Sequence, residues 1–130
     1  MGPPVTGPAC PFCNPAPERV FLTGTLVLAL WDAFPVSPGH ALLVPKRHVA
    51  SWFDATPDER RELTETVERV RARIEQAHRP QGFNVGWNDG RAAGQTVFHL
   101  HLHVIPRYEG DAGDPRGGIR WILPGRARYW

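Results

Sequence analysis

The chain has 130 residues and a formal net charge of +2, from 15 Lys and Arg against 13 Asp and Glu. This length is typical of a single domain, and 42% hydrophobic with 22% charged residues excludes wholesale disorder. The small net charge disfavours a protein that coats nucleic acid, and no apolar run reaches the ~18 residues that a membrane span needs. Two cysteines do not form a secreted disulfide scaffold, so we expect a cytoplasmic protein.

The first predicted element is an irregular N-terminal arm over residues 1–18, because its prolines block both helix and ladder pairing. Residues 19–107 form the main domain in this interpretation. Apolar, β-branched runs predict five strands within it, at 19–23, 25–31, 40–45, 82–88 and 97–105. The glycine-rich tail, 108–130, ends in aromatic residues and is expected to pack on the domain or on a partner subunit. Its segment 119–130 is expected to lie across the partner, at the rim of the site or against its own domain.

One long helix is predicted from Pro57 to His78. Thr56 suits the N-cap, and Glu59 completes a capping box. The apolar stripe of this helix consists of Leu63, Val67, Val70, Ile74 and Ala77. Strands on both sides of one helix indicate an α+β fold with a mainly antiparallel sheet. The helix covers only one sheet face; the other face is solvated, carries a site or meets a partner subunit, and we expect a homodimer.

Three of the six histidines, His99, His101 and His103, alternate along the last predicted strand. Alternate strand residues share a face, so the three imidazoles point one way and the apolar residues between them face the helix. On a regular strand the outer pair would be about 13 Å apart, too far to bind one metal ion together. The row fits a polar sheet face, a metal site that leaves one histidine over, or nucleophilic catalysis by the central His101.

Residues 93–107, with the run His-Leu-His-Leu-His after Gly-Gln-Thr, resemble the signature of the histidine triad (HIT) superfamily of nucleotide hydrolases and transferases. Asp32, residues 35–40 and residues 44–48 are also similar to family segments. So is the opening Cys-Pro-Phe-Cys at residues 10–13. The resemblance implies a HIT-like fold, a purine nucleotide substrate and a homodimer.

The resemblance also implies a role for each matching residue. His101 would attack the α-phosphorus of a nucleotide and form a nucleotidyl-histidine, which water would then hydrolyse. His103 would assist the leaving group, and His40 would complete the histidine cluster. Surrounding donors must absorb the charge that grows on the phosphoryl oxygens in the transition state.

The implied nucleotide contacts are Asp32, Phe34, Asn88, Gln95 and Thr96. Asp32 would take the ribose hydroxyls, Phe34 would pack on the base, and the other three would contact phosphates. Plainer interpretations stay open: a turn cap for Asp32, a turn residue for Asn88, a solvated loop residue for Gln95 and core packing for Phe34.

Cys10 and Cys13 fit a redox pair, half of a structural zinc site, or two unligated thiols. Two prolines follow the motif and prevent the helix that a redox pair requires. Zinc is the favoured interpretation, and the resemblance implies His48 and His99 as the other two ligands. Such a site would tie the arm to the sheet.

The leading functional hypothesis is a hydrolase that releases a nucleoside monophosphate from a dinucleoside polyphosphate such as diadenosine tetraphosphate. The alternatives are a purine nucleoside phosphoramidase, a non-catalytic nucleotide-binding module, and a zinc hydrolase with a metal on the triad. No acidic residue adjoins the triad to act as a base, which counts against the zinc hydrolase. No nucleic-acid or membrane partner is expected.

Overall fold

A computed structural model describes residues 9–130, so the first eight residues of the predicted arm lie outside the described residues. Five strands pair antiparallel in the order β1-β2-β3-β5-β4. Their bounds are β1 Val20–Thr23, β2 Val27–Trp31, β3 Ala41–Pro45, β4 Gly82–Gly86 and β5 Leu102–Arg107. One α-helix, α1 (Pro57–His78), connects β3 to β4. The predicted α+β fold is confirmed. Within the described part of the chain, no helix is long and apolar enough to cross a membrane.

Helix α1 begins and ends where its capping residues predict. The Thr56 hydroxyl accepts a hydrogen bond from the Glu59 amide (3.1 Å), and the Glu59 carboxylate accepts one from the Thr56 amide (2.9 Å). These two bonds satisfy backbone donors that have no partner within the helix. After His78, Arg79 adopts a left-handed conformation with φ 53°, and Pro80 cannot continue the helix.

The main core lies between α1 and one face of the sheet. From the sheet it takes Val27, Ala29, Ala41, Leu43, Leu102 and Val104, and from the helix Leu63, Val70 and Ile74. The predicted stripe is wrong at Ala77, which is exposed, because the core ends at Ile74, one turn before the helix does. Thr66 is buried instead, and its hydroxyl donates to the Glu62 carbonyl (2.6 Å), which satisfies that polar group.

The opposite face of the sheet has a smaller cluster that contains residues of the N-terminal arm. Cys10 and Phe12 are buried there against Leu30, Leu42 and Val44. The segment 10–13 therefore covers part of the face that α1 leaves open.

Strand β5 begins at Leu102, whereas the sequence predicts a strand from residue 97. Its partner β3 explains the late start: Leu43 pairs with Leu102, so a longer ladder would place Val44 opposite His101 and Pro45 opposite Leu100. The Pro45 carbonyl accepts from the His99 ring, so the backbone of this residue faces β5, where proline has no amide hydrogen to donate. Residues 97–101 thus run beside the sheet as irregular chain.

Candidate functional site

The three triad imidazoles share one face, although only His103 lies within a strand. Leu100, Leu102 and Val104 belong to the core beneath α1. The rings of His99 and His101 lie on the other side, against Phe12 of the arm. The two sides stay distinct although residues 97–99 bend and residues 97–101 have no ladder partner.

His101 is held in a single tautomer by a backbone carbonyl. Its Nδ1–H donates to the carbonyl of His99 (2.8 Å), so Nε2 carries the lone pair. The ring lies between Phe12, with centroids 4.8 Å apart, and His103, with centroids 5.2 Å apart. Burial lowers the pKa of His101 below its ordinary value. The imidazole is therefore neutral at pH 7, as an attacking nitrogen must be.

A chain of hydrogen bonds leads from the backbone through His40 to His103. The Val36 amide donates to His40 Nδ1 (3.1 Å), which leaves the hydrogen of His40 on Nε2. That Nε2–H donates to His103 Nδ1 (3.0 Å) and lies 3.4 Å from Asp32 Oδ2. His103 must then carry its own hydrogen on Nε2. The chain of bonds thus presents an N–H donor at His103.

The same surroundings keep His103 neutral. Burial, with smaller contributions from His101 and His40, lowers the pKa of His103 from 6.5 to about 4, against an opposing contribution from Asp32. Burial also lowers the pKa of His40, which Asp32 partly offsets. At pH 7 the site therefore offers N–H donors and one unprotonated nitrogen, with no imidazolium charge.

The turn that ends at His40 depends on a glycine. Gly39 has φ 89°, a conformation that side-chain-bearing residues rarely adopt, and a Cβ there would lie 2.7 Å from the ring of His78. This close approach joins the end of α1 to the start of β3, which places His40 beside His103.

The predicted nucleotide contacts occupy different surroundings. The Asp32 carboxylate accepts a hydrogen bond from the Phe34 amide (2.8 Å), which caps the turn. Its other oxygen contacts His40. Phe34 is 88% exposed, so core packing does not explain it. Asn88 lines a cavity together with His40 and His103, and Thr96 is exposed.

Gln95 is buried, and its side chain connects two loops by hydrogen bonds. Its side-chain nitrogen donates to the carbonyls of Ala50 (2.8 Å) and Val97 (3.1 Å), and its side-chain oxygen accepts from the Gly90 amide (2.8 Å). These bonds connect residues 90–97 to the segment before α1. The side-chain amide is therefore fully used by backbone groups, and the solvated-loop interpretation does not describe it.

The cavity beside His40 and His103 has a volume of about 550 Å³. One wall comes from β4 and the following loop, including Trp87 and Asn88. The other comes from the C-terminal tail, through Ile119, Ile122 and Leu123. These residues belong to segment 119–130, for which a place at the rim of the site is one of the expectations, although the sequence does not single out these three positions. Their apolar character in an otherwise arginine-rich tail is the signal that could have found them.

A second cluster lies at the His99 end of the triad. His99 Nδ1 is 3.5 Å from both Cys10 Sγ and Cys13 Sγ and 3.2 Å from His48 Nδ1. Cys13 Sγ also lies 3.2 Å from His48 Nδ1. The structure therefore brings together all four predicted metal ligands, from positions up to 89 residues apart in the chain.

The donor set fits zinc. Tetrahedral bonds of about 2.1 Å to nitrogen and 2.3 Å to sulfur separate neighbouring ligand atoms by roughly 3.3–3.8 Å, close to the spacing in the cluster. His99 Nε2–H donates to the Pro45 carbonyl (2.7 Å), so Nδ1 presents its lone pair to the thiols. His99 is thus committed to this cluster, and His103 belongs to the other group, with Asp32 and His40.

Comparison with known proteins agrees with this geometry. The family model described as the HIT domain matches residues 14–110. An AP-4-A phosphorylase from Mycobacterium tuberculosis is 43% identical over 94 residues, which cover 72% of this chain and 48% of the relative. An asymmetrical bis(5'-nucleosyl)-tetraphosphatase from Schizosaccharomyces pombe is 39% identical over 97 residues, covering 75% of this chain and 53% of the relative. The chain therefore spans about half the length of these two proteins.

A solved structure is similar over nearly its whole length. The zinc-bound histidine triad family protein from Mycobacterium smegmatis is 31% identical, with a TM-score of 0.72 over 92% of this chain and 94% of that chain. The match of the family model covers most of the chain. The chain belongs to the HIT family.

Proposed function

We propose that this protein is a nucleotide hydrolase that cleaves a nucleoside monophosphate from a dinucleoside polyphosphate through a covalent intermediate on His101. The observation that carries the proposal is the 2.8 Å bond from His101 Nδ1–H to the His99 carbonyl. It leaves a neutral Nε2 with its lone pair available, beside the N–H donor of His103.

In the proposed reaction, His101 Nε2 forms a bond to the α-phosphorus while the bond from phosphorus to the bridging oxygen breaks. His103 Nε2–H donates to the departing oxygen or to a phosphoryl oxygen, where negative charge increases. Water then attacks the phosphorus, the nitrogen–phosphorus bond breaks, and the nucleoside monophosphate leaves. Asp32, Phe34, Asn88, Gln95 and Thr96 remain our proposed nucleotide contacts, Gln95 through the loop that it braces.

The names of two relatives support the substrate class. One is an AP-4-A phosphorylase and the other an asymmetrical tetraphosphatase, so both act on dinucleoside tetraphosphates. They differ in the acceptor: phosphate attack on a nucleotidyl-histidine yields a nucleoside diphosphate, whereas water yields a monophosphate. The product therefore identifies the acceptor.

The cavity wall favours one second candidate, phosphoramidate hydrolysis. Ile119, Ile122 and Leu123 form an apolar surface on the cavity that His103 lines. An apolar amine leaving group would bury surface there, whereas a polyphosphate would not.

The test is an assay of the purified protein with diadenosine tetraphosphate and, in parallel, an aminoacyl adenosine phosphoramidate. We expect AMP and ATP from the tetraphosphate, and mass spectrometry of quenched protein should locate AMP on the peptide containing His101. His101→Ala should lose both turnover and adduct but keep AMP binding. Arg69→Ala, at an exposed position of α1, is the matched control. Turnover by His101→Ala, or binding without turnover in the wild type, would contradict the proposal.

We also propose a structural zinc ion at Cys10, Cys13, His48 and His99, and a cytoplasmic homodimer. When bound, zinc would connect the arm to the sheet and supply folding energy. The support is the ligand spacing and the zinc-bound relative. Metal analysis should find zinc in the wild type and little in Cys13→Ser, and analytical ultracentrifugation should give twice the 14.5 kDa chain mass.

A further inference from the structure

Phe12 occupies a position that the proposed reaction has not yet used. It lies between the two cysteines of the metal cluster, and only 7% of its surface is exposed. On the sheet side it packs with Leu30, Leu42 and Val44. These contacts fix its ring against the face of the sheet that carries the triad.

The other side of Phe12 meets two triad imidazoles. Its ring centroid lies 4.8 Å from that of His101 at an interplanar angle of 46°, and 5.9 Å from that of His99 at 80°. His103 packs on His101 as well, at 5.2 Å and 65°. His101 is therefore enclosed between an aromatic ring of the arm and an imidazole of β5.

This packing matters because the described residues give the His101 ring one hydrogen bond, from Nδ1–H to the His99 carbonyl. A single bond does not prevent rotation of the ring about its Cβ–Cγ bond. A half turn would break that bond and move Nε2 away from its place beside His103. A flat ring against the imidazole blocks this rotation.

The metal cluster holds Phe12 at both ends. Cys10 Sγ and Cys13 Sγ each lie 3.5 Å from Nδ1 of His99, the residue whose carbonyl fixes His101. One histidine thus joins the cluster to the nucleophile through its ring and its backbone, and Phe12 joins them through packing.

We propose that Phe12 is a positioning residue, through which the Cys10–Cys13 cluster holds the His101 ring in the orientation required for attack. The inference rests on the proposed role of His101 as nucleophile. Positioning acts on the attack step, so its loss lowers kcat and leaves KM nearly unchanged.

The test compares zinc-loaded Phe12→Ala and Phe12→Leu with the wild type. We expect Phe12→Ala to lower kcat on the order of 10–100-fold with KM within about 3-fold, and Phe12→Leu, which refills part of the space, to lie between. Side-chain ¹⁵N NMR should show His101 as the Nδ1–H tautomer in the wild type and as a mixture of tautomers in Phe12→Ala. The zinc content of both variants should equal that of the wild type.

Phe53→Ala is the matched control, because Phe53 is 73% exposed and should change neither kcat nor the His101 spectrum. If Phe12→Ala fails to fold, Phe12→Leu alone decides the comparison. A zinc-loaded variant with wild-type kcat and an unchanged His101 tautomer would overturn the proposal. The NMR result holds even if His101→Ala retains turnover, so the failure of the nucleophile assignment and the failure of positioning are distinguishable.

Discussion

The face of the sheet that meets α1 is apolar, whereas the opposite face presents imidazoles, thiols and the ring of Phe12 beside a small apolar cluster. Both faces come from the same strands, since neighbouring residues of β5 alternate between them. The helix face gains its stability from the burial of aliphatic side chains. The histidine face buries polar rings, and each must find a partner or cost free energy.

Because of this difference, we expect substitutions on the histidine face to change mainly turnover and substitutions on the helix face to change mainly stability. On the histidine face, ring nitrogens of His40, His99 and His101 bond to backbone groups, and His40 also bonds to the ring of His103. Those bonds determine tautomers, which matter for chemistry more than for stability. Substitutions that separate activity from stability therefore test the comparison.

Among the substitutions that compare the two faces, His103→Ala has the largest expected effect on turnover. The variant removes the N–H donor that the His40 bond orients, so we expect kcat to fall by about 10²–10⁴-fold. Steady-state kinetics and a thermal melt should be measured on the same sample. Because His103 is only partly buried, the melting temperature should change little. Unchanged kcat in a folded variant would remove His103 from the reaction.

On the helix face, Leu63→Ala should reverse this pattern. Leu63 is completely buried beneath the sheet, so truncation should lower the free energy of unfolding by about 2–5 kcal/mol. Urea denaturation measures the loss, and kcat below the unfolding transition should equal that of the wild type. A large drop in kcat with intact folding would mean that the two faces are not separable.

Acid should weaken the histidine face in particular. The pKa of His103 is about 4 in the folded protein against 6.5 as the ordinary value, and burial lowers the pKa of His40 too. Between these pH values the unfolded chain binds more protons, so stability is complete above pH 6.5 and falls as pH decreases toward 4. His101 and His40 face His103 and reinforce the shift, and Asp32 opposes it.

The urea concentration at the midpoint of unfolding should decrease from pH 7 to pH 4.5 in the wild type. In His103→Asn this decrease should be smaller, because the variant lacks the titrating ring. Equal slopes for the two proteins would contradict this assignment.

The smallest effect is expected at the start of α1. Thr56→Ala removes one bond of the capping box and should cost about 1 kcal/mol, with no change in turnover. Thr56→Ser keeps the hydroxyl and serves as the control. A loss equal to that of Leu63→Ala would show that the cap does more than satisfy the first turn.

Several features of the fold and site could be predicted because they depend on neighbouring residues. The bounds of α1 follow from Thr56, Glu59 and Pro80. The division of the triad into core-facing leucines and site-facing imidazoles follows from alternation. The predicted start of β5 was wrong because the true start depends on Pro45. This residue is far from β5 in the sequence and lies beside it only because β3 and β5 pair in the sheet. The prediction that Ala77 is buried was wrong because helical spacing does not show where the core ends.

The sequence by itself determined the helix, the alternating histidine row and the presence of two thiols, since local backbone preferences and side-chain period act over a few residues. Only the tertiary structure decided that Cys10 meets His99, that His40 donates to His103 and that Phe12 covers His101. These contacts join segments 63–89 residues apart. Such contacts form when the strands pair and the arm packs against them, and no short stretch of chain contains that information.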